Sequence, residues 1–176
     1  VGILFVLAIL VGVGWLLPTE FIVARSVEIP AAPSVVFPHV ADLRAWEKWD
    51  PWKRRDPSVK STYREGPTDE VGAWEKWRSD ESGEGRRVIR ELVPLEKVRV
   101  NITYGDGEDV ARMELHLKPS GEGTTVLWTM GGETGAAPVS RWIGVMMDSL
   151  AGPDLEEGLR ALKAVVISRK SEGGNP

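Results

Sequence analysis

Alternating hydrophobic and polar positions predict a series of β-strands across the middle of the chain. Residues 97–104 alternate most regularly: Val98, Val100 and Ile102 share one face, and polar or charged side chains occupy the other. One buried and one solvated face is typical of an antiparallel sheet. The same reasoning predicts further strands at 21–29, 59–64, 73–79, 86–93, 110–118 and 124–130. Tight turns and no helices separate the strands after residue 59, so we predict an antiparallel meander.

Helical spacing of apolar residues occurs near both ends of this strand-rich region. One short apolar stripe follows Pro33, a residue type that fits the first turn of a helix. Residues 139–150 and 154–168 carry two further stripes, with a Gly-Pro pair between them. We predict one long kinked helix, or two helices that meet at this pair. Residues 169–176 are predicted to form a polar tail.

The first residues of the chain are entirely apolar. Residues 1–17 contain no charged or polar side chain apart from the indole of Trp15. As a helix they would extend roughly 25 Å, slightly less than a hydrocarbon core of about 30 Å. Trp15 has the place of an interfacial anchor. We therefore predict a single-pass transmembrane anchor and a membrane location of undetermined orientation; a cleaved signal peptide and a buried core helix are the alternatives.

Composition limits the chemistry that the chain can perform. It has no cysteine and only two histidines, His39 and His116, which excludes disulfides, thiolate nucleophiles and Cys- or His-rich metal sites. A net charge of −4 argues against a nucleic-acid partner, because phosphate binding requires a basic face. No nucleophile elbow or nucleotide-binding loop is present. We expect no cofactor and no catalytic residue.

Individual titratable residues are interpreted as structural. His39 lies on the first predicted helix after residue 30 and is interpreted as a rim or surface histidine. Glu75 and Arg78 lie near Trp74 and Trp77 on a predicted strand; we interpret each as a member of a cross-strand ion pair, with a place on a cavity wall as the alternative.

Residues 21–52 resemble the opening of a known superfamily. A strand is followed by the segment IPAAP at 29–33, by Val36 and Phe37, and by the segment DLRAWEKWDPW at 42–52. These features resemble the START-like (SRPBCC) superfamily, which contains polyketide cyclase/dehydrase-type and Bet v 1-like proteins. The resemblance extends over about residues 20–166.

The resemblance implies an α+β helix-grip fold. In this fold a curved antiparallel sheet of about seven strands wraps around a long C-terminal helix, and a pocket lies between them. The expected organisation is an anchor at 1–17, a START-like domain at 20–168 and the tail at 169–176. Members share a cavity and not a set of catalytic residues, so the resemblance says little about chemistry.

Large apolar side chains lie on the elements that the superfamily arranges around its cavity. Together they exceed what a small two-layer core normally contains, although plain core packing is the alternative for each one. The predicted pocket residues are Trp49, Trp52, Trp74, Trp128, Met130, Trp142 and Met146.

Three functions are compatible with these features. The first is a membrane-anchored START-like domain that binds a hydrophobic small molecule or lipid, oriented by one or two polar contacts. The second is a polyketide cyclase/dehydrase-type enzyme, for which the sequence offers no convincing acid/base pair. The third is a co-chaperone-like or stress-related protein-interaction module. A large exposed apolar patch in place of a deep cavity would favour the third.

Overall fold

A computed structural model describes residues 2–105, 107 and 109–172 of the chain. The strands are β1 (Glu20–Ile29), β2 (Lys60–Tyr63), β3 (Trp74–Ser79), β4 (Gly83–Val93), β5 (Lys97–Tyr104), β6 (Asp109–Ser120) and β7 (Gly123–Glu133). The helices are α1 (Gly2–Gly14), α2 (Pro33–Ala41), α3 (Pro51–Arg55) and α4 (Pro138–Glu172), with a 3-10 turn at Ala45–Lys48.

In the part of the chain that the structure describes, all seven strands form one antiparallel sheet in the order β1-β7-β6-β5-β4-β3-β2. Neighbours in sequence are neighbours in the sheet, except that β1 pairs with β7 and places Val23 opposite Met130. Met113 on β6 also lies opposite Met130. These side chains are buried on the inner face, which the helices cover. The predicted seven-stranded antiparallel meander and the helix-grip fold are confirmed.

Helix α4 is continuous and lies along the inner side of β1. Its buried stripe consists of Leu155, Leu159, Leu162 and Val166. Pro153 lies inside the helix without ending it, so the chain forms one helix and not two. The helix continues through residue 172, so the start of the predicted tail at 169 belongs to α4; residues 173–176 lie outside the described residues.

An ion-pair cluster fastens α4 to β1. The guanidinium of Arg25 lies 2.8 Å from Asp148 and 2.7 Å from Glu156, both on α4. Gly152 lies directly over this guanidinium, and a Cβ there would come within 2.2 Å of it. The glycine therefore leaves room for the guanidinium at this point, and a larger residue would require the flexible Arg25 side chain to shift.

Helix α1 packs on the first half of α4. Trp142 donates its indole N–H to the carbonyl of Leu10 at 3.1 Å, and Arg141 donates to the carbonyl of Trp15 at 2.8 Å. The backbones approach so closely that a Cβ on Gly14 would lie 2.5 Å from the carbonyl oxygen of Pro138.

The predicted single-pass anchor and membrane location are wrong. Helix α1 has 13 residues, and the chain leaves the helix at Gly14 and enters β1 at Glu20. Thirteen residues extend about 20 Å as a helix, against a hydrocarbon core of about 30 Å. Among the described residues, no helix has both the length and the apolar character that a bilayer crossing needs.

Candidate functional site

A cluster of indole rings fills the core beneath α4. Trp46, Trp49 and Trp128 are fully buried, and the ring centroids of Trp49 and Trp128 are 5.4 Å apart in an edge-to-face arrangement. Trp46 donates its indole N–H to the carbonyl of Val40 at 3.0 Å, and Trp49 donates to the carbonyl of His39 at 2.9 Å. These bonds satisfy buried donors and fix the rings, so this region is packed core.

The short helix α3 follows the indole cluster and is fastened to α4. Asp50 caps its N-terminus by accepting from the backbone N–H of Trp52 at 3.0 Å. Trp52 in turn donates its indole N–H to Asp154 of α4 at 3.0 Å, and Arg55 contacts the same carboxylate at 2.6 Å. This double contact holds α3 over the inner face of the sheet.

A small cavity of about 70 Å³ lies between α3 and the sheet. Its apolar wall combines a side chain of α3 with side chains of β3, β5 and β6: Trp52, Trp77, Ile102, Tyr104 and Met113. Lys53 and Arg87 contribute the charged part of the wall, and Val59 and Ser82 lie on the two loops beside it. Ligand pockets for drug-sized molecules are commonly about 300–1,000 Å³, so this cavity holds only a small group as it stands.

Four ionised side chains form a buried network beside the cavity. Nη1 of Arg87 lies 2.7 Å from Oδ2 of Asp50, and Nε of Arg87 lies 3.1 Å from Oε2 of Glu75. Lys53 also pairs with Glu75, which accepts a further hydrogen bond from Ser61 at 2.6 Å. Two cations and two carboxylates therefore balance one another inside the fold.

The network favours the charged forms of Glu75 and Arg87. Burial on its own raises the pKa of Glu75, but the charges of Arg87 and Lys53 outweigh it and leave the pKa below its usual value. Burial opposes the charge of Arg87, but Asp50 and Glu75 outweigh it and raise the pKa of that guanidinium. Burial, with a hydrogen bond to Glu47, raises the pKa of the neighbouring Tyr63.

Aromatic rings cover the remaining faces of Arg87. Its guanidinium carbon lies 4.9 Å from the ring centroid of Trp46 and 5.4 Å from that of Trp77. Trp77 also contacts Tyr104 edge to face, with centroids 5.8 Å apart. A planar cation between rings is held by cation–π attraction as well as by its carboxylates, so Arg87 is fixed in place at the cavity wall.

The predicted pocket residues fall into three groups. Trp52 lines the cavity. Trp49, Trp128 and Met130 are buried in the core. The structure does not bring the other predicted residues to the cavity: Trp74, Trp142 and Met146.

Each of those three has a different surrounding. Trp74 lies on the opposite face of β3 from the buried Glu75, with Nζ of Lys76 5.5 Å from its ring centroid. Trp142 is turned toward α1, and Met146 is 57% exposed. Trp74 was predicted as a pocket residue only because it is a large apolar side chain on an element that the superfamily arranges around its cavity.

The interpretation of the titratable residues is wrong for one and confirmed for two. His39 is buried and not at the surface. Glu75 belongs to a cross-strand ion pair with Arg87, directly opposite it on β4. Arg78 likewise forms a cross-strand ion pair, with Glu84 opposite it on β4, at 3.0 Å on the solvent side. Two-residue alternation along β3 puts Trp74 and Trp77 on opposite faces of the sheet. This alternation was the sequence signal that could have identified Trp77 as a cavity residue.

A larger depression of about 890 Å³ lies elsewhere on the molecule and is open to solvent. It lies beside the start of α2 and the turn between β4 and β5. Its lining includes His116, Lys118 and Leu127, which alternate with buried residues on β6 and β7 and face outward from the sheet. This depression is therefore a surface recess and not the space between the sheet and its helices.

A seven-stranded antiparallel sheet that grips a long C-terminal helix, with a cavity on its inner face, defines the class of helix-grip domains. The sequence matches the family described as polyketide cyclase/dehydrase and lipid transport over residues 20–166. The chain therefore belongs to this family, within the SRPBCC superfamily. Membership supports a domain that binds a hydrophobic ligand.

Solved structures share the fold at low sequence identity. A protein from Thermobifida fusca is 20% identical, with 82% of this chain and 92% of that chain covered and a TM-score of 0.61. CV1439 from Chromobacterium violaceum is also 20% identical, with coverage of 85% and 97% and a TM-score of 0.53. The Aha1 dimer from Colwellia psychrerythraea is 14% identical, with coverage of 81% and 96% and a TM-score of 0.55. No curated protein matches the sequence. These likenesses establish the fold alone.

Proposed function

We propose that this chain is a START-like domain that binds a largely apolar small molecule in the cavity under α3. The observation that carries the proposal is the cavity wall: aromatic and aliphatic side chains with two buried cations at one side. Such a mixture is usual for small-molecule sites, where apolar walls give affinity and a few polar groups fix orientation. Burial of apolar surface supplies about 25 cal/mol per Å².

A ligand of ordinary size requires the cavity to widen. The segment after α3 and the turn between β3 and β4 lie side by side at the cavity, where Val59 and Ser82 contribute to its wall. The hydroxyl of Ser79 donates to Asp56, and the backbone N–H of Asp80 donates to Ser58 at 3.0 Å. Release of these contacts is the proposed opening step, because they tie the two segments together.

The test fills the cavity with a larger side chain. Ile102→Trp adds a ring on the wall of the cavity, and Leu127→Trp, on the outward face of β7, is the matched control. Binding of N-phenyl-1-naphthylamine, a neutral probe that fluoresces in apolar surroundings, is measured by titration of each full chain. We expect about tenfold weaker binding for Ile102→Trp and unchanged binding for the control. Unchanged binding to a folded Ile102→Trp variant would contradict the proposal.

A second candidate function is favoured by an exposed apolar surface. Exposed apolar side chains lie on α1, on the segment that follows it and on the first half of α4, which packs against α1: Phe5, Ile9, Leu16, Val139, Ile143, Met146 and Leu150. Large exposed apolar patches mark interaction sites in many proteins. The proposed alternative is a protein-interaction module that pairs this surface with a second copy. The related fold whose structure is described as the Aha1 dimer is consistent with such use.

Sedimentation velocity distinguishes this alternative. The double variant Ile143→Asp/Met146→Asp places two charges on the exposed surface, whereas Lys76→Asp/Arg78→Asp changes exposed positions on β3. We expect the unmodified chain and the β3 control to associate as concentration rises and the α4 variant to stay monomeric. Monomeric behaviour of all three chains would remove this candidate.

A further inference from the structure

The charged part of the cavity wall consists of hydrogen-bond donors. Lys53 and Arg87 line the cavity, whereas in the described residues the carboxylates of Asp50 and Glu75 lie behind them, off the cavity wall. A lysine ammonium carries three N–H donors and an arginine guanidinium carries five, and neither accepts. A ligand group next to these two cations therefore faces hydrogen-bond donors.

The network engages only part of this donor capacity. Nη1 of Arg87 lies 2.7 Å from Oδ2 of Asp50 and Nε lies 3.1 Å from Oε2 of Glu75, and neither ion pair uses Nη2. The side chain of Arg87 is 7% exposed. An acceptor oxygen brought in by a ligand would meet the donors that these ion pairs leave over.

The charge balance of the network determines whether a charged or an uncharged oxygen of a ligand fits beside Lys53 and Arg87. Lys53 and Arg87 are already neutralised by Asp50 and Glu75, and both carboxylates are completely buried. A ligand carboxylate would bring a third negative charge into a site without solvent to compensate it. An uncharged carbonyl oxygen accepts from the same donors and leaves the balance intact.

We propose that Lys53 and Arg87 form a subsite for the acceptor oxygen of an uncharged, largely apolar ligand, and that the site discriminates against a carboxylate on the same skeleton. This inference rests on the proposed function and specifies the chemical class of its ligand. The apolar body of the ligand contacts Trp52, Trp77 and Met113.

Three probes with one skeleton test the inference on the full chain. They are 2-dimethylaminonaphthalene, its 6-propionyl ketone and its 6-carboxylate, titrated at pH 7 by fluorescence. We expect the ketone to bind about tenfold more tightly than either of the others. The carbonyl stretch of the bound ketone is expected at lower wavenumber than in an apolar solvent. These measurements need no variant.

A charge-balanced double substitution tests the residues. Lys53→Met/Glu75→Gln removes one cation and one carboxylate from the network, and Arg78→Met/Glu84→Gln removes an exposed ion pair from β3 and β4. We expect the first variant to lose the roughly tenfold preference for the ketone over the parent naphthalene. The control is expected to keep that preference.

The outcomes separate this inference from the function on which it rests. Equal binding of ketone and parent naphthalene, or tighter binding of the carboxylate, would overturn the inference and leave the apolar site standing. A ketone preference that survives Lys53→Met/Glu75→Gln would also overturn it. Failure of all three probes to bind would overturn the proposed function and the inference with it.

Discussion

Nη1 of Arg87 on β4 lies 2.7 Å from Oδ2 of Asp50, the residue that caps α3. The other carboxylate oxygen, Oδ1, accepts from the backbone N–H groups of Trp52 and Lys53. One buried carboxylate therefore starts the short helix and also holds it to the sheet. The position of the cavity depends on this double use, because α3 carries Trp52 and Lys53 to the cavity wall.

Substitution of Asp50 is expected to cost more than the loss of a helix cap. Asp50→Asn keeps a capping oxygen but leaves the buried Arg87 without its full counter-charge, and we expect a loss of about 3–5 kcal/mol in the free energy of unfolding. Loss of an N-cap alone costs about 1 kcal/mol. Urea denaturation followed by tryptophan fluorescence measures the difference. The exposed Asp69→Asn is the control, with an expected change within about 0.5 kcal/mol.

A loss for Asp50→Asn no greater than that for Asp69→Asn would mean that the ion pair with Arg87 adds nothing measurable. The buried network would then have no role in positioning α3, and the cap alone would define the helix.

Stability should fall at acid pH through Glu75. The pKa of this carboxyl is lowered in the folded chain because, although burial raises it, Arg87 and Lys53 favour the charged form more strongly. A lowered folded pKa gives stability that is complete above the unfolded value, about 4.3 for glutamate, and is lost as pH falls through the folded pKa. Urea midpoints between pH 7 and pH 3 measure this loss.

The variant Lys53→Met/Glu75→Gln is expected to show a shallower decline of the urea midpoint below about pH 4.3. Glu84→Gln, which removes an exposed carboxylate from β4, is the control. Parallel declines in the unmodified chain and in the Lys53→Met/Glu75→Gln variant would show that Glu75 does not contribute.

Strand β3 shows most clearly how much of this site can be predicted from the sequence. Regular alternation predicted β5 with its observed bounds, 97–104, because one of its faces is uniformly apolar. On β3 the inward side chains are Glu75, Trp77 and Ser79, and two of these are polar. Nothing local marks Glu75 as buried, because its partner Arg87 comes from the next strand and is placed opposite it only by the register of the hairpin.

The N-terminal helix presents the same difficulty at longer range. An apolar run in a sequence has the same appearance whether its partner is lipid or protein. The partner of α1 is the first half of α4, where Trp142 contacts Leu10 from 132 positions away along the chain. The end of α1 at Gly14, where Pro138 approaches, is likewise a tertiary feature. The helix-grip fold was predictable because residues 21–52 resemble the opening of the START-like superfamily, and the predicted meander and terminal helix agree with that fold.

Ligand entry should accelerate when the contact between Ser79 and Asp56 is removed. Ser79→Ala deletes the hydroxyl that donates to Asp56, which ties the segment after α3 to the β3–β4 turn. A hydrogen bond of about 1 kcal/mol corresponds to roughly a fivefold change in rate if it is broken in the opening step. Stopped-flow mixing with N-phenyl-1-naphthylamine measures the association rate. Ser26→Ala, at an exposed position of β1, should leave that rate unchanged, and equal rates in both variants would refute the opening step.

One glycine substitution on α4 tests the location of the cavity, through the sign of the change that it causes in the stability of the chain. A Cβ on Gly158 would lie 2.6 Å from the Trp128 ring and 2.9 Å from Pro51, so the space between helix and indole cluster is filled. We expect Gly158→Ala to destabilise the chain by about 1–3 kcal/mol through overpacking. Alanine is otherwise favoured over glycine in a helix by about 1 kcal/mol. Gly12→Ala on α1, where a Cβ meets nothing within 4 Å, should therefore be neutral or stabilising.

Thermal and urea unfolding of the two variants give the comparison directly. If Gly158→Ala were stabilising like Gly12→Ala, there would be free space between α4 and Trp128, and the ligand site would belong there and not under α3. If it is destabilising, α4 acts as a fixed wall against the indole core. Widening of the cavity must then come from the segments joined by Asp56 and Ser79, because Trp52 of α3 itself contacts the Trp128 ring, with centroids 5.8 Å apart.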